Sequence, residues 1–140
     1  MTEIVSNSEP ASFANTIVPL ELSGLGLDRV AAVFFHLSSA DTNDALQAIE
    51  RDMAPVLAKH WNDVYLNAKL FARIDSLHEK RETLDLDGEA LRVLDRYHLD
   101  FVRAGAKLQG DGKERLAAIV EELATLGTKF GQNVLANEQA

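Results

Sequence analysis

The stretch DGEALRVLDRYHLDFVRAGAKLQGDGKERLAAIVEELATLGTKFGQNVLA, Asp87 to Ala136, decides the fold. In its first half Leu91, Leu94, His98, Phe101, Gly105 and Leu108 recur at alternating intervals of three and four, with Tyr97 and Val102 widening the stripe. That spacing is one face of a helix. In its second half Leu116, Ile119, Val120, Leu123, Leu126, Phe130 and Val134 repeat the pattern after the short break Gly110-Asp111-Gly112. A break of that length predicts two antiparallel, adjacent helices. Gly110 suits the left-handed position that ends the first helix, and Asp111 with Glu114 reads as a capping box for the second.

Working outward, 140 residues at 46% hydrophobic content suffice for one core and not for two ordinary domains. The sequence predicts an unordered polar tail over 1–11 and a single helical domain over 12–140. The fold class expected is all-α, an antiparallel bundle of about five helical segments closed by the C-terminal hairpin. A net charge of -8 repels phosphate backbones and anionic lipid, which argues against nucleic acid and membrane surfaces as partners. The longest apolar run, Val30 to Phe35, is far shorter than a membrane span. With no cysteine, and no signal-peptide pattern in Met1 to Pro10, a cytoplasmic protein is expected.

Along the chain, Ser12 is a candidate N-cap for helical structure reaching about Leu37, with a kink or break between Pro19 and Gly26. Asp41 or Thr42 is the expected cap of the next helix, whose face is Ala45, Ile49, Met53, Val56, Leu57 and Trp61. Pro55 predicts a bend there. Asn67 either caps a new helix or lies within a continuous one. Leu70, Phe71, Ile74, Leu77 and His78 carry the face onward, and Asp87 caps the first arm of the hairpin.

For chemistry, His78-Glu79-Lys80-Arg81-Glu82 begins like the zinc-protease motif His-Glu-x-x-His but has Glu where the second histidine belongs. On a helix His78 and Glu82 would share a face, yet two ligands make no site and spacing supplies no third. His98 lies in an apolar stripe, where a half-buried histidine with local partners is expected. Gly105 reads as a close-contact point between helices. Phe34, Phe35, Phe101 and Phe130 read as core, and Trp61 and Tyr65 as core edge or interface. Neither a Gly-x-Ser-x-Gly turn nor a complete phosphate-binding glycine fingerprint occurs. The residues therefore assign no catalytic, cofactor-binding or metal-binding side chain.

Several segments in order, Ser12 to Glu21, Val33 to Leu37, Tyr65-Leu66-Asn67 with Leu70-Phe71, Arg96 to Leu108 and Phe130 to Leu135, resemble the N-terminal helical region of the thimet oligopeptidase family of zinc metallopeptidases. The nearest branch is bacterial peptidyl-dipeptidase and oligopeptidase A. The resemblance implies one wall of a deep channel that admits short peptides and excludes folded proteins. It also implies that zinc and its ligands belong to a catalytic domain in a later part of the family chain. This sequence has no His-Glu-x-x-His, so no catalytic residue is carried over and the chain alone is expected to be inactive.

The leading expectation is an N-terminal domain or fragment of such a peptidase, shaping access to the active site. Its partners would be the parent's catalytic domain and, in the parent, short peptides. The alternative is a free-standing helical interaction module without peptidase activity; a small metal-binding protein using His78 and Glu82 ranks third. A peptidase domain apart from its catalytic half should expose apolar surface or bury it in a homo-oligomer, and Val33, Phe34 and Phe35 are the candidates.

Overall fold

A computed structural model describes residues 1–138, and every regular element among them is helical. In order these are α1 (Thr2–Ser6), a π-helical turn (Phe13–Ile17) running into α2 (Val18–Ser23), α3 (Leu25–Ala40), α4 (Asp44–Tyr65) and α5 (Ala68–Glu79). A 3-10 turn (Arg81–Thr83), α6 (Gly88–Arg103) and α7 (Asp111–Glu138) complete the chain. The fold class is all-α. Of the expected range 12–140, the last two residues lie outside those described.

Local chemistry sets most of the boundaries. Ser12 and Asn15 form a reciprocal capping box, the Asn15 N–H donating to Ser12 Oγ at 3.1 Å and the Ser12 N–H to Asn15 Oδ1 at 2.8 Å. Pro19, which has no N–H, falls in the first turn of α2, directly after the π-helical turn. The break expected between Pro19 and Gly26 comes at Gly24. Asn67 caps α5 through the Leu70 N–H at 3.0 Å, which selects the broken alternative, and Asp87 caps α6 through the Ala90 N–H at 2.8 Å. The cap of α4 is neither Asp41 nor Thr42 but Asn43, whose Oδ1 accepts from Leu46 N–H at 3.0 Å. α4 runs as one continuous helix through Pro55.

The largest difference from expectation is at Gly105. This glycine has φ +93°, and α6 ends two residues before it. The Gly105 N–H bonds the Val102 carbonyl at 3.1 Å and the Ala106 N–H bonds the Phe101 carbonyl at 2.9 Å, the two bonds of a Schellman ending. Ala106 and Phe101 are both buried, which supplies its apolar contact. Gly105 therefore terminates α6 rather than continuing its stripe. Gly110, also left-handed at φ +54°, directly precedes α7, so Asp111 is the first helical residue and not the cap.

The chain divides into two compact units, one formed by Met1–Gly26 with Asp63–Gln109, the other by Leu27–Asn62 with the segment from Gly110 onward. The arms of the expected hairpin thus fall in different units. Within the first, α6 packs on α5 around Ile4, Ile17, Leu70, Ile74, Leu94 and Phe101. Burying side chains of that size stabilises by roughly 1.5–3 kcal/mol each. Here the N-terminus departs from the expected tail: α1 places Ile4 in the core. Arg73 is the reason this segment is held. Its guanidinium donates to the carbonyls of Asn7 (3.2 Å) and Glu9 (3.0 Å), to Asn15 Oδ1 (2.8 Å) and to Thr16 Oγ1 (3.2 Å).

In the second unit α7 lies antiparallel to α4, held by polar side chains. Asn62 Nδ2 donates to the Ala117 carbonyl at 3.2 Å. At the other end Gln132 Nε2 donates to the Gln47 carbonyl at 2.9 Å, and Arg51 donates to Gln132 Oε1 at 2.7 Å.

Candidate functional site

The densest group of titratable side chains lies in the first unit, where α5 and α6 meet. The spacing Asp-x-x-His occurs in each helix, as Asp75 with His78 and as Asp95 with His98. Because the helices run antiparallel, each histidine meets the other helix's aspartate. His98 Nε2 is 2.9 Å from Asp75 Oδ1, and His78 Nε2 is 3.3 Å from Asp95 Oδ1, with Arg81 Nε 3.8 Å from that same oxygen. The two imidazoles stack face to face, centroids 3.7 Å apart and planes within 6°. The stack continues inward through Phe71, whose ring is 5.9 Å from His98 and 6.3 Å from Phe101. His98 is 15% and His78 25% exposed, so the cluster is shielded at one end and wetted at the other. Burial, repulsion from His98 and the Arg81 charge hold the His78 pKa below the usual histidine value, against the opposing pull of Asp95 and Asp75.

This arrangement does not suit metal binding. Imidazole lone pairs lie in the ring plane, so two rings stacked in parallel cannot both aim at one ion. Among the described residues no three His, Cys, Asp or Glu side chains converge on a possible ion position. The pairing of His78 with Glu82 on one helix face is not formed, because α5 ends at Glu79 and Glu82 falls in the 3-10 turn. The described residues of this chain therefore do not fit the zinc of the family.

His98 has the local partner expected of it, and Tyr65 packs edge-on against Phe101 at 5.0 Å on the core margin. Sequence reasoning missed the partnership of Asp75 and Asp95; its visible signal was the repeated three-residue spacing. It also missed Arg73, whose partners are about 60 residues distant in the chain and leave no local trace.

The second unit offers surface of a different kind. Neither α3 nor α7 contains a buried residue, although both are long and carry apolar stripes. On α3 Val30 is 68% and Val33 62% exposed, with Phe35 and Leu37 open as well. On α7 Phe130 is 71% exposed, and Leu123, Leu126 and Val134 are also accessible. Val33 is exposed as anticipated, Phe34 is half-buried, and Phe35, read by default as core and also named as a candidate for the exposed face, is exposed, as is Phe130, where core was expected. Phe130 satisfies the helical period, but the period identifies an apolar face without saying whether anything covers it. Beside this surface a groove of about 570 Å³ is lined by Phe35, Thr42, Gln47, Glu50, Thr128 and Gln132 among others. Its lining holds one carboxylate, Glu50, and no histidine.

Two curated proteins match the chain closely. It is 44% identical over 137 residues, 98% of its length, to dipeptidyl carboxypeptidase of Salmonella typhimurium, and 44% identical over 133 residues to dipeptidyl carboxypeptidase of Escherichia coli. The chain spans about 20% of the length of each relative. No family model matches it.

Proposed function

With the chain matching the N-terminal region of dipeptidyl carboxypeptidase, a member of the thimet oligopeptidase family, we propose that it serves as the access-shaping helical domain of such a peptidase and is not catalytic by itself. The observation that carries this reading is the exposed apolar surface of α3 and α7. At roughly 25 cal/mol per Å² of apolar area removed from water, a surface of this kind favours a covering partner. The partner is the catalytic remainder of the same enzyme, which carries the zinc and its ligands. The substrates of the complete enzyme are short peptides cut near their C-terminus, and its compartment is the cytoplasm, in keeping with a sequence free of cysteine. The first unit, held together by its own core and by Arg73, gives this wall its rigidity.

A chimera tests the reading. Replacing the matching region of the E. coli enzyme with this chain is expected to leave chelator-sensitive release of dipeptides within about tenfold of the parent, whereas deleting the region abolishes it. A soluble, folded chimera without activity would refute the assignment. So would chelator-sensitive peptide cleavage by this chain alone.

A further inference from the structure

We propose that the crossed pair of Asp-x-x-His spacings is an acid-sensitive latch between α5 and α6, closed while no more than one imidazole carries a proton and released when both do. The latch rests on its own geometry and not on the peptidase reading. With both rings neutral, His98 Nε2–H donates to Asp75 Oδ1 at 2.9 Å, and His78 Nε2 lies 3.3 Å from Asp95 Oδ1 on the opposite helix. A single imidazolium stacked on a neutral ring, with two carboxylates at the edges, remains attractive. A second proton places two cations face to face with centroids 3.7 Å apart. Each carboxylate lies at the edge of one ring and neither lies between the rings.

The charged and titratable groups acting on His78 are His98 and Asp95 from α6, Asp75 from α5 and Arg81 from the 3-10 turn. Arg81 adds a third positive charge at the wetted end, while Phe71 covers the inner face of His98 and offers no charge. The sign follows from the lowered His78 pKa. Above the unfolded value of 6.5 His78 is neutral in both states and the latch contributes fully. As pH falls below 6.5 the unfolded chain takes up the proton first, so folding weakens with acid through the folded pKa. The loss approaches tenfold in the folded-to-unfolded ratio for each pH unit over which the proton is excluded. The output is separation of the C-terminal end of α5, near His78 and Arg81, from the middle of α6.

The test follows the imidazole signals of the whole 140-residue protein by NMR from pH 8 to 5, alongside urea unfolding at the same pH values. In the wild type His78 titrates below 6.5, and the protection factors of the Leu77 to Lys80 amides, corrected for intrinsic exchange, fall with acid. In His98→Phe, which keeps an aromatic plane and removes one charge, the His78 midpoint rises by at least half a unit. In His78→Phe, or His78→Gln should that variant fold poorly, the stability loss between pH 7 and 5.5 shrinks several-fold. An unshifted His78 midpoint in His98→Phe would overturn the latch, as would superimposable pH–stability curves for wild type and both His78 variants. The wild-type titration stands without any variant, so a His78 midpoint at or above 6.5 would also overturn it.

Discussion

At the scale of single residues, Arg73 and Gly105 do what no neighbouring residue can replace. Arg73 supplies donors to four acceptors spread over Asn7 to Thr16, two of them backbone carbonyls that no helix satisfies. Arg73→Ala is expected to cost about 3 kcal/mol, since acceptors of charge-assisted bonds lose their donor. Native-state hydrogen exchange should show α1 opening first. Arg73→Lys recovers little, because a single ammonium cannot span the same fork. Gly105 is constrained by its backbone. At φ +93° a β-carbon is strained, so Gly105→Ala should lower stability by roughly 1–2 kcal/mol in urea titration. By contrast Gly127, with open space where a β-carbon would stand and a helical backbone, should tolerate Ala with a gain of about 0.5–1 kcal/mol.

Among the elements, caps are readable and partners are not. Ser12, Asn67 and Asp87 announce helix starts because the signal is local: a short polar side chain followed three residues on by a backbone N–H it can reach. Asn67→Ala and Asp87→Ala should each cost about 1 kcal/mol, measurable as a lower urea midpoint with unchanged slope. Asn43 escapes a sequence reading because Asp41 and Thr42 in the same polar cluster are equally plausible caps, and only the observed bond to Leu46 distinguishes them. Gly105 misleads for a different reason. It falls on the i+4 position of an apolar stripe, so periodicity alone extends α6 to Leu108, while the Schellman bonds that end it depend on a backbone angle. The partner of α7 is likewise invisible. Within the second unit Asn62, Gln47 and Arg51 on α4 carry polar contacts to it, and no local feature of either helix marks them in advance. The aspartate–histidine cluster is half legible: a half-buried His98 follows from its stripe, but the exchange of partners between helices needs their antiparallel direction as well as the spacing.

For the whole molecule, burial is uneven in a way that bears on function. The first unit contains nearly every fully buried apolar residue described, whereas the helices of the second keep their stripes open to solvent. An apolar side chain exposed on a folded helix contributes little to folding. Val33→Ser and Phe130→Ser should therefore change unfolding free energy by no more than about 0.5 kcal/mol, while weakening association with a catalytic remainder at least tenfold. The most direct measurement is reconstitution from two polypeptides. A soluble form of the E. coli relative lacking the matching region is titrated with this chain, and chelator-sensitive dipeptide release is followed. Neither piece alone is expected to be active; mixing should give a saturable gain, lost with Phe130→Ser. A remainder that is fully active without this chain, or a chain that binds it through the Phe130 surface without changing its activity, would refute an access-shaping role for these helices.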